Sequence, residues 1–275
     1  MPETQSADVR IDYSDNGNGE PALLLMPGWC STRKAFGNLI DLCAKHRRVL
    51  ALDWRGHARS GTPTGDFGEE GLVDDALAVI RASGAQTIVP VALSHAGWVA
   101  VELRRRLASR ISKLVLIDWL LLDAPAPFLA ALQGLQDRLH WEETRSRLFS
   151  AWLEGVGNEA VKNFVQYEMG IFGFEMWSRA GREIASAYRK HGNPLLALEK
   201  LEPPVPAVHI YAQPADPLYW QAQQSFAAEH PWFSAVRVNA VSHFPMLEEP
   251  EEMAQAIESF VGSPGSEAQR SAVPS

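Results

Sequence analysis

The stretch Val89-Pro-Val-Ala-Leu-Ser-His-Ala-Gly-Trp98 limits what this chain can fold into more than any other. It reads as a short apolar strand, a turn carrying Ser94 between small residues, and the start of a helix whose apolar positions recur at Val99, Val101, Leu103 and Leu107. A strand that reverses into a helix within a few residues leaves no room for side chains inside the bend. Ala92, Ala96 and Gly97 supply that room. This is the geometry of a nucleophile elbow, a strained turn that lifts a serine hydroxyl beside the backbone N–H groups opening the next helix. The outer glycines of the usual G-x-S-x-G pattern are here Ala92 and Ala96.

The flanking sequence repeats the strand-then-helix theme. Val9 to Tyr13 alternates in the manner of an edge strand, and Asn16-Gly-Asn-Gly19 is a turn. Pro21 to Pro27 is a continuous apolar run, as expected of a strand buried on both faces of a parallel sheet. A helix through Phe36, Leu39, Ile40 and Leu42 follows, then a buried strand over Arg48 to Leu52, a helix over Glu69 to Ala82, the elbow, and a strand over Lys113 to Ile117. Such alternation predicts an α/β fold with a mostly parallel, doubly wound sheet, whose ligands sit at the carboxyl ends of the strands. Trp29, Asp53, Ser94 and Asp118 all follow strand ends directly. From 123 to 200 no buried strand is evident, and helical stretches carry Trp141, Trp152, Phe164, Met169, Phe172 and Trp177. We expect a helical cap there, inserted between core segments 1–122 and 201–261, with most of its aromatics packing the cap itself and some forming a roof over the site. The strands resume at Ala207 to Ala212 and Ala235 to Val238, a last helix runs from Pro250 to Val261, and the Ser-, Gly- and Pro-rich stretch 262–275 is expected to be a disordered tail.

With 275 residues, 46% hydrophobic and 21% charged, the chain can bury a large soluble core. A formal net charge of -8 argues against a nucleic-acid footprint. The basic run Arg104-Arg105-Arg106 reads as a solvated helix face. Two cysteines, Cys30 and Cys43, make no disulfide framework and fit a reducing compartment. With no apolar run long enough for a membrane span or a signal segment, a cytoplasmic location is expected, with no membrane partner.

A serine at an elbow needs a base, and the base an orienting acid. His243, in Val241-Ser-His-Phe-Pro245 just past the last strand, is the one histidine of eight whose order and context suit the base. His95 is expected to contribute its backbone N–H, and His57 to support neighbouring loops. The other five, His209 among them, read as structural. For the acid two positions stand open. Asp216 follows the next-to-last strand; Asp118 ends a wholly apolar strand, where a carboxylate has no packing role, and this favours Asp118. The pair His140 and Glu142 has the H-x-E spacing of a metal triad, but i and i+2 point to different faces of a helix. No metal site is expected.

Taken together, Pro27-Gly-Trp-Cys30, Asp53-Trp-Arg-Gly-His57, Ser94-His-Ala-Gly-Trp98, Ile117-Asp-Trp-Leu120, Met176-Trp-Ser-Arg179, His230-Pro-Trp-Phe233 and Ser242-His-Phe-Pro245 resemble the cofactor-independent ring-cleaving dioxygenases of the α/β-hydrolase fold. These enzymes act on 3-hydroxy-4(1H)-quinolones. Within them the chain is most similar to those cleaving 2-alkyl-3-hydroxy-4(1H)-quinolones such as the Pseudomonas quinolone signal. The resemblance implies an aromatic heterocycle and O2 as partners, and no cofactor, because the substrate anion is itself the electron donor. It implies that His243 with Asp118 takes the proton of the 3-hydroxyl, and that Ser94 hydrogen-bonds the substrate. The N–H groups of Trp29 and His95 would hold its oxygens, and Trp152 and Trp177 would line the pocket. Where some relatives carry a substrate-contacting His, this chain has Ser31, which leaves more space and fits a different or longer C2 substituent. The same triad could serve an ordinary serine hydrolase, with Ser94 as nucleophile. A non-catalytic receptor would have no use for the full set.

Overall fold

The structure, a computed structural model, describes residues 2–263. Eight strands form one sheet: β1 (Glu3–Ser6), β2 (Val9–Asn16), β3 (Ala22–Met26), β4 (Val49–Leu52), β5 (Ile88–Leu93), β6 (Leu114–Ile117), β7 (Ala207–Tyr211) and β8 (Phe233–Arg237). Their spatial order is β1-β2-β4-β3-β5-β6-β7-β8. Only the β1–β2 and β2–β4 pairs are antiparallel. Every residue of β3 to β7 is buried. That burial explains the uninterrupted apolar runs: these strands are covered on both faces.

The helices are α1 (Leu39–Ala44), α2 (Glu69–Ser83), α3 (Ala96–Leu107), α4 (Ala126–Gly134), α5 (Trp141–Leu153), α6 (Glu159–Asn163), α7 (Phe174–His191), α8 (Pro194–Glu199), α9 (Pro217–Glu229), α10 (Pro245–Glu248) and α11 (Pro250–Gly262). Among the described residues no helix is long and apolar enough to cross a membrane. Two local expectations are corrected. Val9 to Tyr13 is not the sheet edge, because β1 pairs outside it across a tight turn in which Ala7 adopts φ 53°; β1 is polar and shows no alternation that would announce it. The helix through Phe36 and Leu42 is divided into a 3₁₀ turn, Arg33–Phe36, and α1. Gly37 between them holds φ 44°, and a Cβ there would stand 3.0 Å from Leu247 Cδ2. The expected tail lies, from 264 onward, outside the described residues.

Between β6 and β7 the regular structure is all helical, from α4 to α8, with a π-helical stretch at Phe164–Met169. Helix α7 ties this segment to the sheet domain. Arg179 and Arg182 both pair with Asp66 at 2.9 Å, and Glu183 Oε2 accepts the Glu69 N–H that opens α2, also at 2.9 Å. On its other side α7 meets α4 at Gly181, where a Cβ would lie 2.4 Å from Leu132 O. Close approach of the two helices therefore depends on that glycine.

Candidate active site

Three loops at the carboxyl ends of β3, β5 and β6 each contain a non-glycine residue with positive φ: Cys30 at 54°, Ser94 at 55° and Asp118 at 44°. Such a conformation costs an L-residue roughly 1–2 kcal/mol, so each needs local support. Ser94 is held by its N–H donating to Ile117 O at 2.7 Å, while its own carbonyl accepts from Gly97 N–H at 3.0 Å. Gly97 is required for a second reason, because a Cβ there would fall 2.2 Å from the Trp119 ring. Ala92 and Ala96 are buried inside the bend.

Cys30 is supported from below by His57, which is fully buried. The Cys30 N–H donates to His57 Nε2 at 3.2 Å, and His57 Nδ1 lies 2.9 Å from Arg55 O. These contacts assign the proton to Nδ1. Burial pushes His57 down to about 4, against the raising effect of the Arg55 carbonyl, so the ring works as a neutral acceptor. Asp53, a strand-end candidate, does not line the cavity; it receives the Arg33 N–H at 2.8 Å and braces the same loop.

His243 and Asp118 meet. Nδ1 of His243 stands 2.8 Å from Asp118 Oδ1. Asp118 Oδ2 accepts the N–H groups of Ala212 at 2.8 Å and Gln213 at 3.1 Å, so both carboxylate oxygens are engaged. The carboxylate, acceptor-only when ionised, selects the His243 tautomer protonated at Nδ1 and leaves Nε2 with the lone pair. Asp216, the other acid candidate, is exposed and caps α9 by accepting the Leu218 N–H at 2.8 Å. It has no part in this pair.

A cavity of about 730 Å³ opens above these loop ends and includes Ser94, Asp118 and His243 in its wall. Trp152 of α5 stacks on His243, with ring centroids 5.4 Å apart and planes 15° from parallel. Trp29 stacks between Phe67 at 5.7 Å and His95 at 5.8 Å. Burial, with His243 and His57 nearby, pushes His95 down to about 3, so this wall of the cavity is uncharged. Trp177 and Ser31 also line the cavity, and their Nε1 and Oγ atoms are buried without a hydrogen-bond partner among the described residues. The N–H groups of Trp29 and His95 likewise have no acceptor there. Donors and a proton acceptor thus converge on a mainly apolar chamber, an arrangement suited to holding a flat polar-edged molecule and removing one proton from it.

Sequence reasoning did not single out the wall made by Phe128 and Leu132 of α4 with Ala180, Ile184 and Tyr188 of α7. Its signal was present in Trp177, Ala180, Ile184 and Tyr188, which fall on one face of a 3.6-residue period.

A model of the alpha/beta hydrolase family matches residues 23–256. The chain is 39% identical over 253 residues to the 1H-3-hydroxy-4-oxoquinoline 2,4-dioxygenase of Pseudomonas putida, a match covering 91% of this chain and 96% of that protein. It is 36% identical over 258 residues to the 2-heptyl-3-hydroxy-4(1H)-quinolone dioxygenase of Mycobacteroides abscessus, covering 93% and 96%. A solved structure of an AqdC variant in complex with its substrate, the Pseudomonas quinolone signal, superposes with a TM-score of 0.90 at 35% identity, covering 94% of this chain and 99% of that one.

Proposed function

The chain belongs to the alpha/beta hydrolase family and, within it, to the 3-hydroxy-4-quinolone dioxygenases, and from that premise we propose that it opens the heterocycle of 2-alkyl-3-hydroxy-4(1H)-quinolones without a cofactor. O2 adds across C2 and C4, the C2–C3 and C3–C4 bonds break, and C3 leaves with its oxygen as carbon monoxide. One oxygen atom stays on C2 as the amide carbonyl and the other on C4 as the carboxylate of an N-acylanthranilate.

The observation that carries this reading is the His243–Asp118 pair at 2.8 Å in the wall of an apolar, aromatic-roofed cavity. In the proposed reaction His243 Nε2 takes the 3-hydroxyl proton, and Asp118 stabilises the imidazolium that forms. The resulting anion is electron-rich enough to give an electron to O2. Ser94 Oγ, which has no hydrogen-bond partner among the described residues, is free to bond a substrate oxygen. The N–H groups of Trp29 and His95 are donors for the negative charge that spreads onto the ring oxygens. Trp152 and Trp177, with Ser31, bound the ring, and the wall between α4 and α7 takes the alkyl chain. In this reading residues 123–200 act as the cap, set on a core of 1–122 and 201–261.

Labelling tests it. Under ¹⁸O₂ the N-acylanthranilate gains two labelled oxygens and the carbon monoxide none. Label-free product from ¹⁸O₂, or label arriving from H₂¹⁸O, identifies a hydrolytic reaction and overturns the proposal. Ala180→Phe narrows the proposed alkyl wall and should raise KM for the 2-heptyl substrate far more than for the 2-methyl one; equal effects on both remove that wall from the account.

A further inference from the structure

Asp118 sits in a loop held by groups of β7, α7 and α9. Its N–H donates to Ile210 O at 3.0 Å. The Leu121 N–H donates to the Tyr219 hydroxyl at 3.0 Å, which in turn donates to Trp119 O at 3.0 Å, and the Tyr188 hydroxyl donates to Leu120 O at 2.7 Å. The Trp119 N–H is the donor directly after the acid. It donates to His209 Nε2 at 3.1 Å.

His209 sits in β7, is fully buried and does not line the cavity. A backbone N–H can only donate, so Nε2 must carry the lone pair and Nδ1 the proton. Nδ1 lies 2.7 Å from Gln223 Oε1, which accepts that proton, and the ring is stacked flat on Tyr211 with centroids 4.8 Å apart. Burial pushes His209 down to about 4, outweighing the raising effects of Gln223 and Asp118, so the acceptor form prevails at neutral pH. A buried histidine held from three sides, with its lone pair spent on one peptide, is a costly way to fill a core position that leucine would fill.

We propose that His209 is a positioning residue for Asp118, fixing the Trp119 peptide so that the carboxylate stays directed at His243. The reason lies in the backbone. Asp118 holds φ 44°, and without an acceptor for the next N–H the peptide gains by relaxing toward negative φ and finding another partner. That rotation carries Oδ1 away from His243 Nδ1. The same peptide bears the Trp119 ring, which packs on Gly97 at the start of α3, so His209 also registers the acid against the Ser94 elbow.

The inference rests on the reading of Asp118 as the group that orients His243, and the test separates the two. Steady-state kcat and anaerobic substrate binding are measured for His209→Gln, His209→Asn and His209→Leu, alone and combined with Asp118→Ala. A glutamine oxygen reaches the place of Nε2, whereas an asparagine oxygen falls nearer Nδ1. We expect H209Q to retain most of kcat, H209N and H209L to lose roughly 10- to 100-fold by misorienting the pair, and substrate affinity to stay unchanged in all three. In the Asp118→Ala background the same changes should have almost no further effect on kcat. The Gln and Asn variants are matched polar replacements, so their comparison stands even if H209L fails to fold. Equal kcat in H209Q and H209N, or the full loss persisting with Asp118→Ala, overturns the inference while leaving the role of Asp118 intact. An Asp118→Ala enzyme with undiminished kcat removes the premise itself.

Discussion

Ser94 and His243 have unequal tasks in the proposed reaction, and single replacements should separate them. His243→Ala removes the proton acceptor and should lower kcat by roughly 10²- to 10⁴-fold. Ser94→Ala removes one hydrogen bond to the substrate and should cost about tenfold or less. A Ser94→Ala loss as large as that of His243→Ala, with an acyl adduct trapped on the wild-type serine, would make Ser94 a nucleophile. The two acids are separated in the same way. Asp118→Ala should cripple turnover, whereas Asp216→Ala should leave it intact and cost about 1 kcal/mol of stability through the lost α9 cap; the reverse pattern in kcat would reassign the acid. His243, Asp118 and Ser94 stood out as candidates because each follows a strand and carries a group with no packing use there. The apolar strand ahead of Asp118 favoured it over Asp216, although both follow strands. Only the fold shows that Ala212 and Gln213 offer their N–H groups to Asp118. His57 and His209 were legible as structural, but the peptides they hold belong to distant loops.

Among elements, the strand–elbow–helix unit and α7 carry the most constraint. At the elbow Gly97 allows α3 to begin against Trp119, and Gly97→Ala would force a methyl group into that ring. The ring is 2% exposed and has little freedom to yield, so we expect a loss of about 1–3 kcal/mol in urea unfolding. Because Trp119 adjoins Asp118, kcat should fall as well. Stability and kcat both unchanged would mean that the Gly97 contact constrains nothing. The elbow could be read from small residues at fixed offsets, and α7 from its apolar period. The break at Gly37 and the short strand β1 could not, because a helical period continues across the first and the second has no apolar pattern at all. Tertiary packing decides both, through Leu247 against Gly37 and β2 beside β1.

At the scale of the molecule, the parallel sheet brings strand ends from residue 26 to residue 237 onto one rim, beneath the helical segment. Buried neutral histidines accompany that arrangement and make its stability pH-dependent. For His57 the sign follows from its depressed value: below about pH 6.5 the unfolded chain takes up a proton that the folded one refuses until about pH 4. Stability is therefore lost as pH falls through that window, by on the order of 3 kcal/mol for this group. Glu69, raised by burial to about 7, acts with the opposite sign, so the comparison is best made between wild type and His57→Gln, which keeps an acceptor but cannot titrate. Urea midpoints should converge with the variant's gaining on the wild type's as pH drops from 7 to 4.5; parallel curves would contradict the burial argument. The alternation of strands and helices made the sheet legible from β2 to β8, whereas the cavity, formed where α4, α5 and α7 meet the loops after β3, β5, β6, β7 and β8, exists only in the assembled fold. The central claim is tested most directly by giving chelator-treated protein 2-heptyl-3-hydroxy-4(1H)-quinolone under air and following O2 uptake and carbon monoxide together. The account predicts one O2 consumed and one carbon monoxide released for each quinolone cleaved, with no added metal. An intact quinolone with no O2 uptake, or cleavage without carbon monoxide, would contradict it.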